Sequence, residues 1–340
     1  MSLPSHFPLK VAQGRTIKIP SVGYGTWASG SKSWCKDATL AALKAGYRHL
    51  DCAWMYGVDE QIGEAIRESG IPRSEIFITT KFWPHFAAPE YVELCLDQCL
   101  RNMGLDYIDL FLAHWPFAFK PISHDALKNA KANGSNEEKG ILEDPKTGKR
   151  VIDWEHTSAN IAQKAGHEGS FVPTWLALKA LVGTGKTRAV GVSNFSITDL
   201  KDILPYATDV PISCNQVEVH PWLPNNELID FMKEHDILAA CYSPFAGQKE
   251  DGATLLKDPV VKQLAEKNGM DVGQLLQSWA VQRGTVPLGK SQTESRIKSN
   301  LDVKKLSDED MQILSSMGVA DDKGRTVDPR EDLGLSLYEN

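Results

Sequence analysis

One feature limits the folds open to this chain more than any other. Short, nearly continuous runs of β-branched and apolar residues keep recurring, each separated from the next by a stretch of helical period. The runs are Val22–Thr26, Tyr47–Ala53, Ile76–Lys81 and Tyr107–His114, then Arg188–Ser193, Cys214–Val219, Ile237–Tyr242 and Thr285–Lys290. Helical periodicity occupies Trp34–Ala45, Glu60–Glu68, Pro89–Met103, Thr174–Thr184, Ile197–Leu204, Asn226–His235, Pro259–Lys267 and Val272–Arg283. Ala45-Gly46, Thr184-Gly185 and Asn268-Gly269 supply helix stops.

Strands that are apolar on both faces and alternate with helices imply a parallel sheet covered on its outside, and eight such units close a barrel. The expected class is α/β: a (β/α)8 TIM barrel forming one domain over residues 1–340, with C-terminal-face loops forming the active site. Phe7–Pro20 reads as a hairpin turning near Gln13-Gly14 and plugging the barrel floor. Residues 117–173 are long for one strand-to-helix connection, and their polar, turn-rich middle reads as an extended loop on the C-terminal face. Residues 319–340 read as a C-terminal tail.

Composition narrows the partners. With 42% hydrophobic and 24% charged residues the chain can bury a large core, and a net charge of −7 without a basic block leaves no footprint for nucleic acid or an anionic membrane. No leader-like or membrane-length apolar stretch is present, so the expectation is a cytoplasmic protein acting on a small molecule. The six cysteines are scattered and read as reduced core residues. Among nine histidines no metal-binding helix pair occurs, and no metal is expected. The choice between a monomer and a weak homodimer is open.

Two glycine motifs fail on context. Gly23-Tyr-Gly25-Thr-Trp-Ala28 fits a dinucleotide fingerprint in letters, but no helix opens directly after it. Gly183-Thr-Gly185-Lys186-Thr187 resembles a phosphate-binding loop, yet Ala180 stands where its first glycine belongs, and the segment runs from helix to strand.

Chemistry concentrates elsewhere. Asp51, Lys81 and His114 close three successive strands, and Tyr56 follows Asp51 by one turn of chain. Any one of them alone would read as a cap or a satisfied core group. Together, at the strand ends where barrel enzymes hold their sites, they form a candidate acid-base set.

The runs GYGTW, AGYRHLDCAWMYG, ITTKFW, DYIDLFLAHWP, AVGVSNF, CNQVEVHPWL, YSP and GKS, followed by Arg296 and Asn300, resemble the aldo-keto reductase family from Val22 to about Leu301. The resemblance implies Tyr56 as general acid, Lys81 and Asp51 as its supporting pair and His114 as an orienter of the substrate carbonyl. A neighbouring ammonium is expected to lower the phenol pKa toward the working range. NADP(H) is the implied hydride carrier, with use of NAD(H) left open. Its nicotinamide end falls to Ser193, Asn194, Gln216 and Tyr242. Its phosphates and adenosine fall to Lys290, Ser291, Arg296 and Asn300, with Gly25, Thr26, Trp27, Asp51, Ser243, Pro244 and Phe245 completing the set. Trp27, Met55, Trp83, His114, Trp115, Phe117 and Trp222 are the implied substrate pocket.

Two departures qualify the resemblance. Leu288-Gly289-Lys290-Ser291 replaces the family's I-P-K-S, and the glycine is expected to loosen the phosphate-binding turn. Tyr242-Ser-Pro-Phe245 replaces YSPL ahead of a short loop. The activity implied is reduction of aldehydes or ketones, aliphatic, aromatic or sugar-derived. A polyol or alcohol dehydrogenase running in the oxidative direction, and a cofactor-binding regulatory barrel with little turnover, stand as alternatives.

Overall fold

A computed structural model describes residues 2–28, 30–132, 135–247, 253–334 and 337–338. Strands β1 (His6–Lys10) and β2 (Thr16–Pro20) form the antiparallel hairpin, with Gln13 and Gly14 at positive φ in its turn. The barrel strands follow: β3 (Gly23–Gly25), β4 (His49–Asp51), β5 (Phe77–Phe82), β6 (Ile108–Ala113), β7 (Thr187–Ser193), β8 (Cys214–Glu218), β9 (Leu238–Tyr242) and β10 (Val286–Gly289). They are parallel and close in chain order, with β10 pairing β3. Each lies within one of the eight apolar runs except β5 and β7, which extend a run by one residue.

The register explains where the chemistry sits. Side chains alternate across a strand, so residues two apart share a face. Phe77, Leu110, Leu112, Ala189, Cys214, Ala240 and Leu288 form one buried cluster with Leu9, Val11 and Ile19 of the hairpin, which therefore covers the barrel floor. Stepping upward by twos from that cluster gives Thr79 and Lys81 on β5, Gln216 and Glu218 on β8, Ser193 on β7, Tyr242 on β9, His114 just beyond β6 and Lys290 just beyond β10. The same inner face is thus apolar at the bottom and polar at the mouth. A second, larger cluster fills the space between the outer strand faces and the helices, with Trp175 and Trp279 among its largest buried side chains.

Among the helices that escape the periodicity reading are Glu294–Leu301 and Asp308–Ser315. Each buries only two residues, too few to mark an apolar stripe, although Ser307 caps the second by accepting from Asp310 N at 3.1 Å. The segment after β6 also differs from expectation. In place of an irregular excursion it carries helices His124–Lys128, Asn136–Lys139 and Ala159–Lys164, antiparallel bridges Phe119–Ile152 and Pro121–Ile141, and buried Phe119, Leu127, Ile141 and Ile161. Sparse apolar residues far apart in sequence pair across it, which no periodic window detects. Among the described residues no helix is long and apolar enough to cross a membrane, and all six cysteines are free and buried.

Candidate active site

Lys81 organises the mouth. Fully buried at the end of β5, its ammonium donates to Asp51 Oδ1 and Oδ2, both at 3.0 Å, to the Cys52 carbonyl at 2.8 Å and to the Tyr56 hydroxyl at 3.4 Å. Burial by itself would push this lysine down, but the Asp51 carboxylate and the Tyr56 oxygen outweigh it and hold its pKa above the ordinary value. Asp51 is fixed in turn by its backbone: Thr26 donates to its carbonyl through Oγ1 at 2.8 Å and through N at 3.1 Å. Tyr56 ends a 3-10 turn, Trp54–Tyr56, that returns the chain over the mouth and stops at Gly57, a glycine at φ 61.

The expected drop in the Tyr56 pKa is not what the structure gives. Burial dominates and raises the phenol to about 12, with Lys81 opposing and Asp51 adding to the rise. Tyr56 therefore carries its proton throughout the neutral range, with the Lys81 ammonium 3.4 Å from its oxygen. His114 meets the Tyr56 ring edge-on at 5.9 Å between centroids. Its burial, with Lys81 nearby, drives its pKa well below the ordinary value, so the imidazole is neutral. His114 Nδ1 is buried without a hydrogen-bond partner among the described residues.

Across the mouth the predicted amide residues form one network. Asn194, at φ 65 just after β7, donates through Nδ2 to the His114 carbonyl at 2.9 Å and to Ser193 Oγ at 3.2 Å. Asparagine tolerates this left-handed backbone where most residues would not. The Tyr242 hydroxyl donates to Asn194 Oδ1 at 2.7 Å, and Ser193 Oγ donates to the main-chain carbonyl of Gln216 at 2.8 Å. Gln216 donates through Nε2 to Asp51 Oδ1 at 2.7 Å, a contact with no signature in the sequence.

The remaining predicted residues divide between this mouth and a site beside β10. Lys290 lies 4.3 Å above the centre of the Trp34 ring, and Tyr24 donates to the Ser291 carbonyl at 2.7 Å. Arg296 is exposed on the helix Glu294–Leu301, while Asn300 is buried and its carbonyl accepts from Gln277. Phe245 packs toward Gly273 and Gly289. Ser243 takes φ 49, Pro244 follows it, and Gly25 lies close to the Leu288 carbonyl.

Gly289 corrects the expectation of a loosened turn. A Cβ there would come within 2.5 Å of Gln277 Oε1 and 2.9 Å of Phe245, and its N–H donates to Gln277 Oε1 at 3.1 Å. A side chain here would have to displace the Gln277 amide and the Phe245 ring, and proline would remove the donor. The short loop expected after Phe245 runs into residues 248–252, which lie outside the described residues.

Of the aromatic set, Trp27 is 57% exposed, and Met55, Trp83 and Trp222 are half-buried around the opening. Trp115 and Phe117 are buried. Phe117 lies behind Trp115 and against Phe119 in a cluster that also takes in Leu333 and Leu337 of the tail, so it backs the wall and does not face the opening. The tail is tied down at Glu218, a fully buried carboxylate accepting from Thr326 N at 2.9 Å, Val327 N at 3.2 Å and the Thr326 hydroxyl. Glu218 was not among the predicted residues. It sits two positions above Gln216 on the same inner face, a signal that period-two counting along β8 would have found.

Comparison with known proteins decides the family. Residues 21–318 match the model of the aldo/keto reductase family. This chain belongs to it. A glycerol 2-dehydrogenase (NADP(+)) of Saccharomyces cerevisiae is 41% identical over 92% of the chain and 91% of its own length. A D-galacturonate reductase of Hypocrea jecorina is 39% identical over 88% of the chain and 87% of its own length. Among solved structures, the aldose reductase of Schistosoma japonicum superposes with a TM-score of 0.77 at 28% identity, covering 97% of each chain. For an aldo-keto reductase, the polar mouth of the barrel is accordingly the place to look for carbonyl chemistry.

Proposed function

We propose that this aldo-keto reductase reduces small aldehydes or ketones to alcohols at the expense of NADPH, with Tyr56 as the proton donor. The observation that carries the reading is Lys81 Nζ, 3.4 Å from the Tyr56 hydroxyl and pinned by Asp51 and the Cys52 carbonyl. A half-buried phenol raised by desolvation keeps its proton until a carbonyl oxygen acquires negative charge, and the fixed ammonium then favours the phenolate. Neutral His114 orients the carbonyl and adds no competing charge.

The donor chemistry at both ends of the mouth fits a nicotinamide dinucleotide phosphate. Ser193, Asn194 and Gln216 offer amide and hydroxyl groups suited to a carboxamide, and the Tyr242 ring offers a flat face. Lys290, Ser291 and Arg296 offer two cations and a hydroxyl for a phosphate-bearing ribose. When bound, the cofactor supplies the hydride that side chains cannot. Relatives whose names carry NADP(+) and a sugar acid or polyol support the same cofactor and polar substrates.

NADPH consumption with a panel of aromatic aldehydes, short hydroxyaldehydes and open-chain sugars tests the reading, with NADH in parallel. Turnover preferring NADPH supports it. Arg296→Ala is expected to weaken NADPH about tenfold and leave NADH nearly unchanged; an equal effect on both removes the phosphate assignment. Cofactor binding without turnover on any carbonyl would favour a regulatory barrel.

A further inference from the structure

We infer that Gln216 is a positioning residue for the proton relay proposed above, holding Asp51 from the opposite side of the barrel and so tying the carboxamide end of the cofactor site to Tyr56. β8 and β4 are four places apart in a closed ring of eight, so Gln216 and Asp51 face each other across the mouth. The 2.7 Å bond between Gln216 Nε2 and Asp51 Oδ1 spans that gap, and both residues are buried. Asp51 Oδ1 also accepts from Lys81 at 3.0 Å, so the amide and the ammonium share one oxygen. Through its main-chain carbonyl Gln216 accepts from Ser193 Oγ at 2.8 Å and from Asn194 N at 2.9 Å. A single residue thus belongs to both the amide network and the relay.

Physical consequences follow from the shared oxygen. The titratable groups facing Asp51 and Tyr56 are Lys81 from β5, Cys52 and Tyr56 from the chain after β4, and His114 from the end of β6, with His49 and, on β8, Cys214 one layer below, where both feel the Lys81 charge. Asp51 opposes ionisation of Tyr56. An amide donor draws part of the carboxylate charge toward itself, leaving less to oppose departure of the Tyr56 proton. A glutamine serving only the carboxamide of a bound cofactor would have no such influence.

Two variants of nearly the same length separate these roles. Gln216→Met removes the donor, and Gln216→Glu replaces it with a second anion facing Asp51. The alkaline limb of kcat, measured with saturating NADPH and carbonyl, is expected to move to higher pH in the order wild type, Met, Glu, with kcat at neutral pH falling about tenfold in the Met variant. A second readout needs neither turnover nor cofactor. In the apoprotein, the carboxyl introduced by Gln216→Glu lies beside Asp51, which raises its folded pKa above its unfolded value. Its stability contribution is therefore present at low pH and lost as pH rises. The Tm of the Glu variant should fall relative to wild type between about pH 5 and 8, while the Met variant keeps a constant offset. If both variants merely bind NADPH more weakly by fluorescence, with unchanged alkaline limbs and a pH-independent Tm offset for Glu, Gln216 serves the carboxamide alone and the inference is overturned. Absence of wild-type turnover would instead overturn the proposed function, and the apoprotein measurement would still decide the Gln216–Asp51 contact.

Discussion

The floor and the mouth of the barrel are built on the same strands yet obey different rules. At the floor, Phe77, Leu110, Cys214, Ala240 and Leu288 meet Leu9 and Ile19 of the hairpin in a cluster that bears no formal charge. At the mouth, the same inner faces bury Asp51, Lys81, Gln216 and Glu218. Apolar burial stabilises the floor by roughly 25 cal/mol for each Å² removed from water. The charges at the mouth gain little stability from burial and persist because each is held by several partners. The lower layer adds its apolar burial to the larger core outside the strands, and the upper layer uses the resulting rigidity to fix donors and acceptors within hydrogen-bond distance. His49 and Thr79, joined at 3.0 Å, form the seam between the layers. Burial drives His49 down to about 3, so the seam adds no charge beneath Lys81.

If that division is right, the largest effect on activity comes from the mouth and leaves the fold intact. Tyr56→Phe should lower kcat by about 10³-fold or more, the scale of a lost general acid, with NADPH affinity and Tm close to wild type. Loss of cofactor binding in parallel with activity would show that Tyr56 is part of the scaffold.

Next in size is a pair of substitutions, one in each layer. Lys81→Met leaves the Asp51 carboxylate buried without its cation and should cost about 3–5 kcal/mol of stability at neutral pH. That loss should shrink as pH falls, because a protonated Asp51 needs no cation. Leu9→Ala at the floor opens a cavity and should cost about 2–5 kcal/mol, independent of pH and with kcat per folded molecule unchanged. Denaturant unfolding across pH distinguishes them; a pH-dependent loss for Leu9→Ala would break the distinction between the layers.

The two layers are also unequally legible in the sequence. All eight barrel strands are readable because burial on both faces makes them continuous apolar runs, and the mouth residues are readable because they end those runs. Period-two counting within each strand places Asp51, Lys81, His114, Gln216 and Tyr242 on one inner face. What escapes depends on contacts between distant segments. The Gln216–Asp51 bond joins residues 165 positions apart, and the anchoring of Thr326 and Val327 on Glu218 joins the tail to β8. Neither leaves a local pattern. The packed helices inside residues 117–173 are hidden for the same reason. The direction of the Tyr56 shift runs against the sequence-based expectation because a sequence reveals a neighbouring charge more readily than the depth of burial that outweighs it.

Asp59 supplies the smallest effect on activity and the sharpest control on stability, since it is a buried carboxyl with no cation paired to it among the described residues. It stands eight positions after Asp51, as the first residue of the helix Asp59–Ser69, and its Oδ1 lacks a hydrogen-bond partner among the described residues. A helix N-terminus favours a negative charge by about 0.3–1 kcal/mol, but burial outweighs this and raises the pKa to about 8, with Cys99 opposing and Glu60 adding to the rise. An acid whose folded pKa lies above its unfolded value contributes stability at low pH. That contribution falls away as pH rises from about 4 and is gone above about 8. Asp59→Asn keeps the shape and removes the titration. The variant should therefore gain on wild type as pH increases, with a Tm advantage of about 2–4 °C for each kcal/mol recovered, largest above pH 8. Asp51, held by Lys81 and Gln216, should show the reverse at neutral pH: Asp51→Asn takes the anion from a buried ammonium and should lose stability. If Asp59→Asn instead tracks wild type at every pH, this carboxyl is as well solvated as its paired counterpart, and the difference between paired and unpaired buried acids in this barrel disappears.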